Sequence, residues 1–310
     1  MERVEVAARA GRRPFWSLGR REAIWGYLFL LPNIVGFLAF TAFAVVIAFM
    51  LALSDWDMLS PIWAVNIRGP ANYLKLLTND PVFRQVLGNT AEFVVGVVPL
   101  EVVGSLALAL LLNTGVRGMA LYRALYFVPT VTSLIAVSIV WQWLYQTDYG
   151  VVNYLLGSVG LPRLNWLGST EFAMPAIVLM SAWKAVGYYA VIFLAGLQGV
   201  PDHLHEAAQI DGANAWHRFW KITLPLLSPT LFFVLVISII RAFQVFDQAF
   251  IMTRGGPAGA TTTIVYFIYQ NGFVWFRMGY AAAASWILFA VIFLITVFQT
   301  RWQRRWVHYY

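Results

Sequence analysis

Long apolar stretches alternate with short polar segments along most of the chain. A membrane core about 30 Å thick is crossed by roughly 20 apolar residues in helical conformation. Six stretches meet this requirement, and the fifth does so with its flanking residues. They cover residues 24–53, 93–112, 124–145, 173–197, 231–246 and 280–298. The pattern predicts an all-α, polytopic membrane protein with six spanning helices and both chain ends on one side.

The composition agrees with a lipid environment. Hydrophobic residues make up 60% of the 310-residue chain and charged residues only 11%, against about 25% in soluble domains. The absence of cysteine excludes a disulfide and any thiolate metal site. The net charge of +7 raises the question of nucleic acid. The basic residues lie scattered at helix ends without forming one face, so we expect a bilayer and no nucleic acid as partner.

The distribution of Lys and Arg among the connections predicts the orientation. Six lie on one side of the predicted spans: Arg68, Lys75, Arg84, Arg163, Arg254 and Arg277. Thirteen lie on the other: Arg3, Arg9, Arg12, Arg13, Arg20, Arg21, Arg117, Arg123, Arg218, Lys221, Arg301, Arg304 and Arg305. Positive charge is retained in the cytoplasm, so both termini are predicted to be cytoplasmic.

The same pattern suggests a simple domain organisation. We expect a basic cytoplasmic arm at residues 1–23, a membrane domain at 24–300 and a basic cytoplasmic tail at 301–310. The outer connections are too short for a further folded domain. The apolar segment "TTTIVYFIYQNGF" at 261–273 is short for a span and predicts a re-entrant or interfacial helix.

A polar segment, "EAAQIDGANAWHRFWKITLP", occupies residues 206–225 between the fourth and fifth spans. Asp211-Gly212 predicts a turn, because glycine adopts positive φ without steric cost. Asn214 is a helix-capping residue type, and Pro225 is expected to end the second helix. The local pattern thus predicts a helix–turn–helix at the cytoplasmic surface. From the residues alone, a membrane-surface connector and a docking site for a partner both remain open.

The spacing E-A-A-x-x-D-G-A-x-x-x-x-x-F-x-x-I-x-L-P resembles the coupling motif of binding-protein-dependent ABC importer permeases. Its fixed positions are filled by Glu206, Ala207, Ala208, Asp211, Gly212, Ala213, Phe219, Ile222, Leu224 and Pro225. The stretches "LYRALYFVPTVTS" and "FQVFDQAFIMTRGGPAGATTT" are similar to the carbohydrate branch, the maltose-type first permease. The resemblance runs from about residue 24 to 300 and implies an ABC type I transmembrane domain with its core at about 86–299.

The resemblance also implies partners and a location. The chain would pair with a second homologous permease, two ATP-hydrolysing subunits and an extracytoplasmic substrate-binding protein, in a bacterial or archaeal plasma membrane. Residues 206–225 would dock on the ATPase, with Glu206 meeting a basic residue and Gly212 making the turn. ATP and Mg²⁺ would bind to the ATPase subunits, and no cofactor directly to this chain.

Three charged residues fall within predicted spans, namely Glu101, Lys184 and Arg241. A charge at mid-bilayer costs about 2.5–3.5 kcal/mol on insertion scales, so such side chains face a cavity or a partner. An ion pair of Glu101 with either cation and a substrate role both remain open. We expect at least one such pair, because Glu101 otherwise stays unpaired in lipid.

Carrying over the sugar-contacting positions of the maltose-type permease, by resemblance, gives a candidate substrate pathway. Its residues are Ser181, Lys184, Ala185, Tyr188, Ser238, Arg241, Ala242 and Val245. Tyr188 has the ring that a sugar could stack upon, although aromatic residues in membrane helices also serve packing alone.

Other function classes lack the residues they need. None of the three lysines follows a glycine, so the chain has no P-loop and the ATPase must be a separate subunit. His205-Glu206 begins a zinc-protease-like motif, but Gln209 replaces its second histidine. A six-helix channel would leave the coupling motif unexplained. We therefore expect a non-catalytic permease for a carbohydrate, with sn-glycerol 3-phosphate or a glycerophosphodiester as the alternative cargo.

Overall fold

The computed structural model describes residues 18–61, 63, 65–114 and 118–307. Most of the predicted basic arm therefore lies outside the described residues, including Arg3, Arg9, Arg12 and Arg13. Arg117 and the last three residues of the predicted tail also lie outside them. The described residues are largely helical, and an isolated bridge between Ser54 and Ile67 is their only β pairing.

Fifteen α-helices are found in the described residues, and four π-helical turns interrupt or extend them. The α-helices are α1 (Leu18–Gly36), α2 (Phe43–Ala52), α3 (Ala71–Leu74), α4 (Pro81–Leu112), α5 (Met119–Val131), α6 (Leu134–Leu144), α7 (Val151–Ser158), α8 (Ala173–Gln198), α9 (Asp202–Ile210), α10 (Ala215–Arg218), α11 (Leu224–Leu226), α12 (Ser228–Phe243), α13 (Asp247–Met252), α14 (Ile264–Tyr269) and α15 (Met278–Trp302). The π-helical turns are Phe37–Ala42, Lys75–Asn79, Phe219–Thr223 and Gln270–Val274.

The chain divides into two compact units, Met1–Met50 and Leu51–Tyr310. The described part of the first unit is α1, the π-helical turn after it and most of α2. The second unit contains the core, in which α4, α8 and α12 pack together. Val97, Tyr189, Phe193 and Val234 are almost completely buried there. This packing brings the middles of the three helices side by side, and their polar residues come with them.

The predicted spans are largely confirmed as helices. Among the described residues, four continuous helices are long and apolar enough to cross a membrane: Glu22–Ala52, Pro81–Leu112, Ala173–Gln198 and Met278–Arg305. The second begins earlier than the predicted residue 93, because Asp80 caps it. The Asp80 carboxylate accepts hydrogen bonds from the backbone N–H groups of Val82 (2.9 Å) and Phe83 (3.0 Å).

The third predicted span is not one continuous helix in the structure. Residues 124–145 fall on α5 and α6, which are bent by 97° to each other. The extended backbone of Thr132 and Ser133 separates them. The sequence conceals this break because its hydropathy continues across it. Such a break is tolerated at membrane depth when the freed carbonyl groups find other donors, which here come from α8.

The fifth span also differs from the prediction. α12 ends at Phe243, three residues before the predicted end, and Ala215–Leu226 is bent by 67° relative to it. Pro225 does not end the helical structure as predicted, since it lies within α11. The predicted helix near 261–273 is found as α14 and the π-helical turn that follows.

Candidate functional site

A cavity of about 280 Å³ lies between the middles of α4 and α8 and the last turn of α12, with the end of α5 and the residues that follow α12 beside it. Eight residues singled out from the sequence line it together: Glu101, Ser181, Lys184, Ala185, Tyr188, Arg241, Ala242 and Val245. Ser238 does not line the cavity but contacts Glu101 directly. The structure thus brings the candidate pathway residues into one place.

Lys184 stabilises the break between α5 and α6 by hydrogen bonding to its free carbonyl groups. Its ammonium group donates hydrogen bonds to the carbonyl oxygens of Pro129 (2.8 Å), Thr130 (3.3 Å) and Thr132 (2.9 Å). An ammonium group has three donors, so these carbonyls use all of them. A cation is also favourable at the C-terminal end of a helix, where the dipole is negative. Lys184 therefore serves the structure of the cavity wall.

Glu101 lies on α4, where its buried side chain contacts α12. The hydroxyl of Ser238, which is fully buried, donates a hydrogen bond to Oε2 of Glu101. Among the described residues, the ion pair within 4.0 Å is that of Arg68 with Asp55, and Glu101 forms none with Lys184 or Arg241. The predicted ion pair of Glu101 with Lys184 or Arg241 is wrong. The Lys184 ammonium group donates its hydrogen bonds to backbone carbonyl oxygens, and Glu101 accepts one from the hydroxyl of Ser238 instead.

Arg241 faces the cavity. Its guanidinium carbon lies 4.8 Å from the centroid of the Tyr188 ring, a cation–π arrangement. Arg241 is exposed to the cavity space, so it is the cation that a bound molecule can reach.

Sequence reasoning missed several cavity residues. Tyr189, Gln244, Asp247 and Gln248 also line the cavity, and Gln248 Nε2 donates a 3.2 Å hydrogen bond to the hydroxyl of Ser181. A sequence signal existed for three of them. Gln244, Asp247 and Gln248 interrupt the apolar run at the end of the fifth predicted span, where a helix in lipid would continue with apolar residues.

The segment 206–225 forms the predicted helix–turn–helix. α9 ends at Ile210, and Gly212 has φ +78°, in the left-handed region. The Asn214 side chain caps α10 by accepting a 2.8 Å hydrogen bond from the N–H of His217. Trp216, Phe219 and Trp220 form one aromatic cluster with ring centroids 5.4–6.4 Å apart.

The polar positions of this segment are open to solvent. Glu206, Ala207, Asp211 and Gly212 are exposed, whereas Ala208 and Ala213 are half-buried. α8 ends at Gln198, just before the segment, and α12 begins at Ser228, just after it. The segment therefore joins α8, whose middle lines the cavity, to α12, whose last turn lines it.

Comparison with known proteins identifies the family. Residues 101–308 match the family model described as binding-protein-dependent transport system inner membrane component. The chain belongs to this family. The resemblance found in the coupling motif is confirmed, and the chain is a multi-pass permease.

Relatives cover nearly the whole permease. It is 36% identical over 295 residues to the probable ABC transporter permease protein YesP of Bacillus subtilis, covering 94% of each chain. It is 35% identical to the trehalose/maltose transport system permease protein MalF of Thermococcus litoralis, covering 91% of this chain and 94% of the relative. It is 38% identical to the sn-glycerol-3-phosphate transport system permease protein UgpA of Agrobacterium fabrum, covering 79% and 83%.

Solved structures agree on the fold. The chain matches a bacterial ABC transporter involved in import of the acidic polysaccharide alginate, with a TM-score of 0.78 and 25% identity. The match covers 92% of this chain and 96% of the other. The predicted class, an all-α ABC importer transmembrane domain, is thereby confirmed.

Proposed function

We propose that this permease forms half of the translocation pathway of an ATP-driven importer for a neutral carbohydrate. A second, homologous permease supplies the other half. Two ATPase subunits bind ATP and Mg²⁺, and a binding protein on the outer face delivers the sugar. The observation that carries the proposal is the cavity at α4, α8 and α12, where an aromatic ring, hydroxyls, amides and charged groups meet.

The chemistry of the cavity favours a neutral cargo. The donors of Lys184 are satisfied by three carbonyl oxygens, so that cation has no free donor for a phosphate. Ser181, Gln244 and Gln248 supply hydrogen-bonding groups for sugar hydroxyls, and Tyr188 supplies the ring face that Arg241 does not cover. Relatives that carry trehalose/maltose and lactose in their names support the same cargo class.

ATP hydrolysis is coupled to transport through the connection between the 206–225 segment and the cavity. The exposed positions Glu206, Ala207, Asp211 and Gly212, with Ala208 and Ala213 beneath them, form the surface on which the ATPase docks in this proposal. Movement of the docked segment acts on the end of α8 and the start of α12. Because both helices line the cavity, closure of the ATPase subunits changes the side to which the cavity opens.

The alternative cargo is sn-glycerol 3-phosphate or a glycerophosphodiester. One observation favours it: the Arg241 guanidinium is exposed in the cavity, and guanidinium groups bind phosphates bidentately. The relative UgpA carries that cargo in its name. A single conservative change at Arg241 separates the two cargoes.

The test is uptake by cells that produce the whole transporter, with labelled maltose, trehalose, lactose and sn-glycerol 3-phosphate as substrates. Arg241→Lys keeps the charge beside Glu101 but loses the planar fork. We expect saccharide uptake to persist in Arg241→Lys and to fall about tenfold in Tyr188→Ala, which loses the ring face. The matched control is Leu179→Ala, also on α8 but exposed outside the cavity. Uptake of sn-glycerol 3-phosphate alone, lost in Arg241→Lys, would establish the alternative.

A further inference from the structure

A second pocket, of about 500 Å³, lies at the end of the bundle opposite the 206–225 segment. The end of α4 reaches that segment, since Leu110 and Asn113 share a smaller pocket with Ala215 and Phe219. The second pocket lies instead near the start of α4 and α15. We name it the Trp56–Trp275 pocket after two of its lining residues.

Hydrogen bonds connect the chain segments that form the Trp56–Trp275 pocket. The N–H of Gly279 donates a 3.1 Å hydrogen bond to the carbonyl oxygen of Trp56. A side chain at Gly279 would collide with the carbonyl oxygen of Ser54, so only glycine allows this approach. Asn72 Nδ2 donates to the carbonyl oxygens of Ser54 (2.7 Å) and Ala52 (3.1 Å). Two neighbouring segments and the distant start of α15 thus form a pocket that exists before any ligand arrives.

The lining combines aromatic rings with charges of both signs. Trp275 is 49% exposed, and the Arg277 guanidinium carbon lies 5.9 Å from its ring centroid. Lys75 Nζ lies 5.3 Å from the ring centroid of Tyr280. Asp55 and Asp57 line the same pocket. Asp55 is also ion-paired with Arg68, which lies outside the lining. The lining itself carries two acids and two bases, and this mixed charge suits a neutral ligand better than a free phosphate.

The acidic side can accept hydrogen bonds at neutral pH. The backbone N–H of Ser60 donates a 2.8 Å hydrogen bond to Oδ1 of Asp57 and lowers the pKa of that carboxyl group. An ionised carboxylate accepts only, whereas Lys75 and Arg277 donate only. A molecule with many hydroxyl groups uses both, because each hydroxyl both donates and accepts.

Unusual backbone conformations flank the lining residues. Met58 has φ 60° and Phe276 has φ 56°, values that are uncommon for residues other than glycine. Met58 follows Asp57, and Phe276 stands between Trp275 and Arg277. Such conformations persist where the surrounding structure holds them, and they concentrate at binding sites.

We propose that the Trp56–Trp275 pocket is a second carbohydrate subsite, separate from the central cavity, for a neutral sugar on the side opposite the 206–225 segment. The proposal rests on the proposed carbohydrate import. A sugar stacks on the exposed face of Trp275 and exchanges hydrogen bonds with Asp57, Lys75 and Arg277. The pocket volume falls within the range of about 300–1,000 Å³ that small-ligand sites have.

The test is saturation-transfer NMR on the purified whole transporter in lipid nanodiscs, without the binding protein. The probe is a mixture of maltotriose, trehalose, lactose and arabinotriose. We expect Trp275→Ala to weaken saccharide binding about tenfold, through loss of the stacking surface. The matched control is Trp63→Ala, which removes a tryptophan that is 86% exposed and lies outside the pocket. Tyr188→Ala, in the central cavity, should leave the Trp275-dependent signal in place.

Each other outcome overturns the proposal. No signal from any saccharide, or equal loss in Trp275→Ala and Trp63→Ala, excludes a sugar site at this pocket. If Trp275→Ala weakens association with the binding protein and leaves saccharide binding intact, the pocket is a protein contact. Uptake by the wild-type transporter, measured separately, distinguishes failure of this inference from failure of the proposed function. Saccharide uptake without a Trp275-dependent binding signal contradicts this inference alone. The absence of both saccharide uptake and that signal contradicts the proposed function.

Discussion

The ammonium group of Lys184 on α8 donates a hydrogen bond of 2.8 Å to the carbonyl oxygen of Pro129, in the last turn of α5. Two further carbonyl oxygens, of Thr130 and Thr132, accept from the same nitrogen. Lys184, one of the two cations that the sequence offered as a partner for Glu101, thus stabilises a helix break. The relationship ties α8 to the bend between α5 and α6.

Lys184→Met should therefore destabilise the permease without any change at Glu101. The substitution leaves carbonyl groups unsatisfied, at a cost of about 1.5–3 kcal/mol for a hydrogen bond from a charged group. The measurement is thermal unfolding of the purified transporter, together with the yield of assembled complex. Adding Glu101→Gln should give no rescue. Restoration of stability by that second change would mean that the two charges are partners after all.

A second prediction concerns Ser238 and Glu101, which join α12 to α4. Ser238→Ala removes the donor and leaves a buried carboxylate oxygen without it, at a cost of about 1–3 kcal/mol. In the double mutant with Glu101→Leu the partner is gone, so the effect of Ser238→Ala should largely vanish. A double-mutant cycle on unfolding midpoints measures the coupling, which we expect to exceed about 0.5 kcal/mol. Additive effects would show that this hydrogen bond does not carry stability.

The sequence was most informative where local rules act. The length of the apolar stretches predicted the long helices, since a helix must be apolar over about 20 residues to cross a membrane. Asp211-Gly212 and Asn214 predicted a turn and a cap, and the structure has both, at φ +78° and with a 2.8 Å capping bond. These features depend on a few neighbouring residues, so the sequence contains all that determines them.

The sequence was least informative where distant segments meet. The break at Thr132 and Ser133 interrupts a continuous apolar run, and it depends on a lysine 52 residues away along the chain. Backbone carbonyl groups are present at every residue, so a sequence cannot indicate which of them lack a partner. The Trp56–Trp275 pocket was missed for the same reason, because its residues come together through contacts of Gly279 and Asn72 with the loop after α2.

A third prediction concerns orientation, which follows from the distribution of basic residues. The chain lacks cysteine, so single cysteines can be labelled without background. Cysteine at Thr78 or Thr170 should react with an impermeant maleimide on intact cells, and cysteine at Ala215 only after permeabilisation. All three positions are exposed, and Ala215 spares the cap that Asn214 provides. Labelling with the opposite pattern would reverse the predicted topology.

The last prediction concerns coupling through Gly212. Its φ is +78°, and no atom lies within 4 Å of where a side-chain Cβ would be. A substitution there is therefore opposed by backbone conformation alone and not by collision. Gly212→Val should distort the turn, because a β-branched residue disfavours positive φ, and should abolish uptake while the complex still assembles. Gly212→Asn should retain uptake in part, since asparagine tolerates the left-handed region.

Gly69 provides the matched control for this experiment. It has φ +62° and, like Gly212, open space within 4 Å of where a Cβ atom would stand, but it lies in the loop before α3. Gly69→Val introduces the same type of backbone strain, of about 1–2 kcal/mol, at a position outside the segment 206–225. If coupling depends on the Gly212 turn, substrate-stimulated ATP hydrolysis by the whole transporter should be lost in Gly212→Val and kept in both Gly69→Val and wild type. Equal loss in the two valine variants would trace the defect to general destabilisation, and normal hydrolysis in both would remove the turn from the coupling path.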